Sequence, residues 1–436
     1  MNVRKIVLTA LEKMEKNSGY SNLLLNSVLK EQELSDFERR FASNIFYGVI
    51  ERKLTLDYII GQLSSRGKQK ISSYVLNCLR MGLYQIIYMD KVPDNAAVNE
   101  TVNLVKNSKE RYAAGFVNAI LRAYLRNRVT LPEGDSLKAL EIRYSCPEWF
   151  IAELTDYIGL ESAKEYFESS LNVPPTYIRL NSQYTGESNV IETLESKNIK
   201  IEPTVLENAY KISGFSSVEN LEEYKNGAVY VQDLASQLSI NALAPKPGES
   251  LLDVCAAPGG KSFTAAQYMD NKGKILSCDL HPHRVDLIKA SAKRMNLSII
   301  DTRINDASKY NPNLGLFDKI ICDVPCSGFG DIRRKPEIKY KKPNDLTRLP
   351  DLQYNILENS SKCLNPNGII MYSTCTLRRE ENESTVERFL SRHTDFKLME
   401  SCVCGRKSGY HRLLTNEYDC DGFFFALLKK VGDGIG

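Results

Sequence analysis

The chain carries one tryptophan and four histidines in 436 residues. With so few histidines and no Cys-x-x-Cys pair, it lacks the ligand spacing of a zinc site. Cys402-Val403-Cys404 is a lone Cys-x-Cys and reads as structural. No apolar run approaches the ~20 residues of a membrane span. The stretch Met1–Tyr20 sets Glu12, Lys13, Glu15 and Lys16 at helical spacing and has no signal-peptide centre, so a cytoplasmic location is expected. Eleven cysteines, an odd number without a secretory signal, argue against a disulfide framework. Internal repeats and low-complexity tracts are missing. So are Gly-x-Gly-x-x-Gly and the Walker A spacing, which disfavours a dinucleotide and a P-loop phosphate site.

What remains is an ordinary globular composition, 42% hydrophobic and 25% charged, long enough for two or three domains. The net charge of +3 is unevenly spread. Residues 1–130 hold 20 Lys and Arg against 12 Asp and Glu, a net of +8, and the remainder is net −5. A basic first third fits a polyanionic partner such as nucleic acid, or equally a set of solvated helix faces.

The first third reads as helical. Ser35 and Glu38 have capping-box spacing. Phe37, Phe41, Ile45 and Val49 recur every four residues, and Val75, Leu79, Leu83 and Ile86 make a second apolar stripe. Further helices are predicted around 99–105 and 116–125. The polar stretch 126–135, with Pro132 and Gly134, reads as a linker. A helix opening at Pro147, strands at 174–181 and 210–212, and a helix at 191–196 suggest a small α+β module over 141–220. From about Tyr230 strands and helices alternate: 251–255, 274–278, 299–304, 317–322 and 368–373 as strands, 262–269 and 285–295 as helices. Repeated βα units predict a parallel sheet covered by helices on both faces.

Three strings carry chemistry. In Asp253-Val254-Cys255-Ala256-Ala257-Pro258-Gly259-Gly260-Lys261, small residues between a strand and a helix let backbone N–H groups approach a ligand. Asp279 ends the second strand, where a carboxylate accepts from ribose hydroxyls, and Asp306 follows the third. These features favour a nucleoside-type cofactor over an empty tight turn. Asp323-Val324-Pro325-Cys326-Ser327-Gly328 and Ser373-Thr374-Cys375-Thr376 each put a cysteine just after a buried strand, at the sheet end where reacting groups gather. Free cysteines usually act as small hydrophobes, and Cys78, Cys278 and Cys363 read that way. Cys326 and Cys375 sit among loop residues and suit a thiolate nucleophile activated by a helix N-terminus or by Arg333, Arg334 and Lys335. The basic stretch Arg333–Lys342, with Tyr340, fits phosphate contacts better than a plain solvated loop.

With these strings the chain resembles the RNA cytosine-C5 methyltransferases that use S-adenosylmethionine. Its helical start resembles a NusB-type RNA-binding domain, and the domain order is similar to the bacterial Sun/Fmu family. The resemblance implies an all-α NusB-like domain over 1–135, a small α+β module over 141–220 and an α/β Rossmann-like class I methyltransferase domain over 221–436. It implies a monomer that makes 5-methylcytosine at position 967 of 16S ribosomal RNA, on an unstructured or flipped-out cytosine. Cys255, Ala256, Ala257, Pro258, Gly259, Gly260 and Lys261 would bind the methionine part of the cofactor, Asp279 its ribose and Asp306 its adenine end. Asp323 would contact cytosine and cofactor, Cys375 would attack carbon 6, and Cys326 would assist release. The chain departs from the family pattern at Val324, often Ala, and at Phe329-Gly330-Asp331, often Thr-Gly-Val. Asp331 adds negative charge beside the adjoining basic stretch.

Three rivals stand beside this reading. A transfer RNA cytosine-C5 methyltransferase would share the chemistry. A non-catalytic RNA-binding assembly factor would need no thiolate. An exocyclic-amine methyltransferase would want a polar-Pro-Pro-aromatic loop, which Asp323-Val324-Pro325-Cys326 is not.

Overall fold

The computed structural model describes residues 2–16, 21–30, 32–64, 71–186 and 189–431, so positions 1 and 17–20 of the N-terminal stretch lie outside it. The chain forms two compact units: Met1–Leu171 with Arg334–Lys341, and Asn172–Arg333 with Lys342–Gly436.

The first unit is helical. Its helices are α1 (Val3–Lys16), α2 (Ser21–Lys30), α3 (Asp36–Glu51), α4 (Lys53–Leu63), α5 (Ser73–Tyr88), α6 (Asp94–Lys106), α7 (Ala114–Arg126), α8 (Leu137–Tyr144), α9 (Glu148–Ile158) and α10 (Leu160–Ser169). The capping box forms: Ser35 Oγ accepts from Glu38 N at 3.3 Å and Glu38 Oε2 accepts from Ser35 N at 2.9 Å. The α3 stripe is only half right. Ile45 and Val49 are buried, but Phe37 is 71% exposed and stacks on Phe41. Each four-residue step overshoots a helical turn by about 40°, so a strict four-residue repeat drifts off the core. Ala42 and Phe46 complete the buried face instead. The α5 stripe is buried throughout, and Arg80 on its flank is held by both carboxylate oxygens of Asp57 at 2.7 and 2.9 Å.

The structure divides the chain at a different place from the expected boundaries. Residues 126–135 join α7 to α8 inside one unit, and α8–α10 belong with the helices before them. Thr55 Oγ1 donates to Ile142 O and Leu54 N to Ser145 Oγ, stitching α8 onto α4. The expected module 141–220 is therefore split near residue 171.

The second unit holds two larger sheets. The smaller contains β1 (Thr176–Leu180), β2 (Lys200–Pro203), β3 (Ala209–Ser213) and β4 (Val229–Val231), all antiparallel in the order β2-β3-β1-β4. Helices α11 (Val190–Ser196) and the one-turn α12 (Glu222–Lys225) lie between these strands in sequence. After α13 (Leu234–Leu243) come β5 (Ser250–Asp253), α14 (Gly260–Tyr268), β6 (Lys274–Asp279), α15 (Pro282–Arg294), β7 (Ile300–Ile304), β8 (Phe317–Asp323), α16 (Leu349–Ser361), β9 (Leu364–Thr374) and α17 (Glu383–Arg392). The chain ends with β10 (Phe396–Met399), the β11 (Ser401–Val403) and β12 (Arg406–Ser408) ribbon, β13 (Tyr410–Leu413), the one-turn α18 (Thr415–Tyr418) and β14 (Phe423–Lys430).

The larger sheet runs β10-β14-β9-β8-β5-β6-β7, with β13 also on β14. Its five strands β9-β8-β5-β6-β7 are parallel, as predicted. The sheet as a whole is mixed, because β14 pairs antiparallel with β9, and β10 and β13 antiparallel with β14. Leu251, Ile321, Met371 and Phe425 enter one buried layer, and their neighbours Leu252, Ile320, Ile370 and Phe424 the other. Both faces are covered, which is why these strands read as unbroken apolar runs. Cys278 and Cys363 fill this core and Cys78 that of the helical unit. No helix among the described residues is long and apolar enough to cross a membrane.

Candidate active site

The cradle is built where β5 ends. Val254 N donates to Ile321 O at 3.1 Å and Ala256 N to Cys278 O at 2.7 Å, so the loop is pinned to the strands on either side. Gly259 has φ +111° and a Cβ there would lie 2.2 Å from the Phe263 ring, so only glycine fits. Gly260 opens α14, and the buried Gln232 Nε2, which has no hydrogen-bond partner among the described residues, lies 3.3 Å from where its Cβ would be. Beneath the loop, burial pushes the Asp253 carboxyl up to about 7 against the donation from Ser262 Oγ at 2.7 Å.

The two acids of the expected nucleoside site lie at successive strand ends. Asp279, 3% exposed, ends β6 and pairs with Arg284 at 3.2 Å, while Arg284 also donates to Ala257 O at 2.8 Å. That guanidinium ties Asp279 to the loop at Ala257. Asp306 follows β7; hydrogen bonds from Ser308 and the charge of Lys309 hold its carboxyl below the usual range. A small-residue loop over a helix N-terminus, an unpartnered amide beside it and an acid at the neighbouring strand end fit a nucleoside with a charged amino-acid tail.

The thiols come together through strand register. Asp323 of β8 is paired with Ser373 of β9, and Ser373 Oγ donates to Asp323 Oδ1 at 2.7 Å. Just beyond, Cys326 Sγ lies 3.2 Å from Cys375 Sγ. Lys261, read above as part of the cradle, reaches instead to Asp323 Oδ2 at 2.7 Å and lies over the Phe423 ring. Burial, the largest single effect, pushes this ammonium down, but the charge and hydrogen bond of Asp323 together with the charges of Asp253 and Cys375 outweigh it and hold the lysine above its ordinary range. The carboxylate of Asp323 thus meets a cation rather than an apolar pocket.

The expected activators of the thiols are elsewhere. Arg333 donates to Asp419 at 2.8 Å and to the carbonyls of Asn172 and Val173. Arg334–Lys341 belongs to the helical unit, where Lys339 is 2% exposed and donates to Glu51 O at 2.8 Å, and Tyr340 donates to Ile50 O at 2.7 Å. The stretch therefore does not offer an open basic face: its Arg333 and Lys339 are used inside the fold. Cys375 is pushed well above the ordinary thiol range by its hydrogen bond to Cys326, then by burial and by the charge of Asp331. At neutral pH it is a thiol in hydrogen-bond contact with Cys326. Asp331, the departure from the family pattern, adds to that upward push.

Sequence reasoning missed the support behind the thiols. Arg378-Arg379-Glu380-Glu381-Asn382-Glu383 reads as a solvated charge run, yet Arg378, Glu381, Asn382 and Glu383 are all buried. Glu381 Oε2 accepts from Ser327 N at 2.9 Å and from Gln353 Nε2 at 2.8 Å. Asn382 Oδ1 accepts from Thr374 Oγ1 at 2.6 Å and its Nδ2 donates to Thr376 O at 3.0 Å.

The arrangement has counterparts among known proteins. A family model described as 16S rRNA methyltransferase RsmB/F matches residues 240–429, and one described as the NusB family matches residues 1–126. A protein of Bacillus subtilis named probable ribosomal RNA small subunit methyltransferase B is 38% identical, with 99% of each chain covered. The protein of the same name from Synechocystis is 30% identical, covering 99% of this chain and 100% of its own. The crystal structure of PH0851 superposes with a TM-score of 0.81 at 25% identity, over 99% of both chains. A glycine turn and two touching thiols at neighbouring strand ends lie in a chain matched from end to end by these relatives, and the protein is an enzyme: it belongs to the RsmB/F family of 16S ribosomal RNA methyltransferases.

Proposed function

We propose that the enzyme moves a methyl group from S-adenosylmethionine to carbon 5 of a cytosine in 16S ribosomal RNA, the cytosine at position 967, through a covalent bond between Cys375 and carbon 6. The observation that carries this reading is the 3.2 Å approach of Cys375 to Cys326 beside the Lys261–Asp323 pair. Family membership alone supports only the coarser activity.

Carbon 5 of cytosine is a poor nucleophile. Adding a thiolate to carbon 6 makes carbon 5 enamine-like, which splits one hard step into easier ones. Two thiolates this close repel each other, and Cys375 is held as a thiol, so its attack needs its proton to leave through Cys326, 3.2 Å away. Cys375 passes it to Cys326 as its sulfur bonds carbon 6. Negative charge building on the ring is met by the Lys261 ammonium, which the Asp323 carboxylate holds in place. The residues 255–261, Asp279 and Asp306 would hold the cofactor, which when bound supplies an electrophilic methyl group and leaves as a neutral thioether. Cys326 gives its proton to solvent, then takes the proton from carbon 5. The carbon 5–carbon 6 double bond re-forms and Cys375 departs as a thiolate. One proton is released per cycle, which balances the reaction.

A base inside an RNA helix cannot be reached by a thiol at a strand end, so the substrate cytosine is unpaired or flipped out. The protein acts as a monomer in the cytoplasm, where its RNA is assembled. The test is methylation of a 16S transcript with labelled cofactor, mapped by bisulfite sequencing. Cys375→Ala is expected to abolish transfer while cofactor binding persists, and Cys326→Ala to trap a denaturant-resistant protein–RNA adduct. Full transfer by Cys375→Ala would overturn the nucleophile, and a product on another atom or another RNA would overturn the substrate.

A further inference from the structure

We infer that the adjacent residues Glu381 and Asn382 are positioning residues, each assigned to one thiol. Glu381 holds the Cys326 loop for release, and Asn382 holds Cys375 for attack. The inference rests on the roles proposed above for the two cysteines.

The two clamps are separate in their atoms. Glu381 Oε2 takes Ser327 N, the residue after Cys326, at 2.9 Å. It also takes Gln353 Nε2 at 2.8 Å, and the same amide donates to Pro325 O, the residue before Cys326, at 3.0 Å. Arg378 pairs with the other oxygen, Oε1, at 3.2 Å. Both peptide neighbours of Cys326 are thereby fixed by one carboxylate that is fully buried. Asn382 makes the matching contacts on the other side: Thr374 Oγ1 at 2.6 Å before Cys375, and Thr376 O at 3.0 Å after it. The loops touch each other at Ser327 Oγ and Thr376 Oγ1, 2.8 Å apart, and at Gly330 N to Cys375 O, 2.9 Å.

A buried carboxylate accepting three donors is costly to place unless the donors are held in return. Here the donors are the cysteine loop itself, a glutamine on α16 and an arginine three residues past Cys375. Among the described residues, none of the side-chain bonds of Glu381 reaches the two residues flanking Cys375, and the amide of Asn382 bonds to Thr374 and Thr376 alone. Since a displacement of about 1 Å can cost of order 100-fold in rate, each residue should control the step of its own thiol.

The experiment compares Glu381→Gln, Asn382→Ala and Cys326→Ala in the full-length enzyme with a 16S transcript, by single-turnover methyl transfer, steady-state turnover and covalent adduct on denaturing gels. Glutamine at 381 keeps the volume but faces the Ser327, Gln353 and Arg378 donors with an N–H of its own. Glu381→Gln should lower steady-state turnover by roughly 10- to 100-fold and accumulate adduct, with the single-turnover rate falling far less. Asn382→Ala should slow the single-turnover rate by a similar factor and accumulate no adduct. Should Glu381→Gln misfold, Gln353→Met removes the amide that joins Glu381 to Pro325 and is expected to act as Glu381→Gln does. Equal losses in both steps for both variants would mean a structural role only and overturn the assignment. If Cys326→Ala accumulates adduct but Glu381→Gln does not, the positioning role of Glu381 fails while the release role stands. If Cys326→Ala accumulates none, the release role itself fails.

Discussion

Cys326 Sγ and Cys375 Sγ approach to 3.2 Å although 49 residues separate them in the chain. The contact follows from two parallel neighbours, β8 and β9, ending at the same level, with the Cys326 loop folded back over the Cys375 end.

This contact gives Cys375 its proton. With the thiol held well above its ordinary range, the protonated form prevails at neutral pH and the thiolate grows only as pH rises. Alkylation of Cys375 by iodoacetamide should therefore increase into the alkaline range. Cys326→Ala removes the largest cause and should lower the pH midpoint. Asp331→Val should move it the same way by less. Peptide mass spectrometry across pH reads both, and an unmoved midpoint in Cys326→Ala would show that the proton is not shared.

Lys261 and Asp323 act as a unit. Lys261→Met leaves the carboxylate without its cation, and Asp323→Asn leaves the ammonium without its anion. Either change should cut single-turnover transfer by about 100- to 1,000-fold, the size of losing one preorganised charge contact. The double variant should be scarcely worse than either single one, because coupled residues are not additive. Additive losses in that cycle would assign the two residues independent tasks.

Asp253 makes stability depend on pH. Its folded carboxyl is raised to about 7 from an ordinary value near 3.8. The folded state therefore binds more protons between these values, and stability falls as pH rises from about 4 to 7. Asp253→Asn removes that loss. The variant should gain on the parent as pH increases, by of order 2–4 kcal/mol above pH 7, with little difference near pH 4. Urea unfolding at pH 5, 6, 7 and 8 measures the trend, and parallel curves would mean that the carboxyl is not buried in its acid form.

Gly330 has no room for a side chain. A Cβ would stand 1.7 Å from Gly422 O, and that atom is backbone, tied to the same loop by Gly422 N donating to Gly330 O at 3.0 Å. Gly330→Ala should destabilise the catalytic unit by about 1–3 kcal/mol and loosen the bond to Cys375 O. Gly115→Ala, near the start of α7 where nothing lies within 4 Å, should leave the melting temperature level or higher. Differential scanning fluorimetry compares the two, and equal melting points would contradict the close approach.

Much of the site could be read from the residues because its signals are local. The strand ends at Asp253, Asp279 and Asp323 and the glycine turn between β5 and α14 sit where their flanking apolar runs place them. The last strand went unread: Phe423–Lys430 is an apolar run whose place, antiparallel beside β9, depends on partners far away in sequence. The basic stretch after Cys326 was misread for a related reason. Lys339 looks like any surface lysine until the burial around it is known.

By itself, the sequence determined the helical start, the parallel βα core, the glycine turn and the two cysteine-bearing strand ends, since periodicity and turn chemistry act over a few residues. Only the tertiary structure decided that Lys261 pairs with Asp323, that the two thiols touch, and that Glu381 and Asn382 lie buried behind them. Those relationships join residues tens of positions apart, and charge next to charge in a sequence looks the same whether water or a folded core surrounds it. Burial turns that ambiguity into chemistry: out of water, each polar group must find a partner, and at this site the partners hold the thiols.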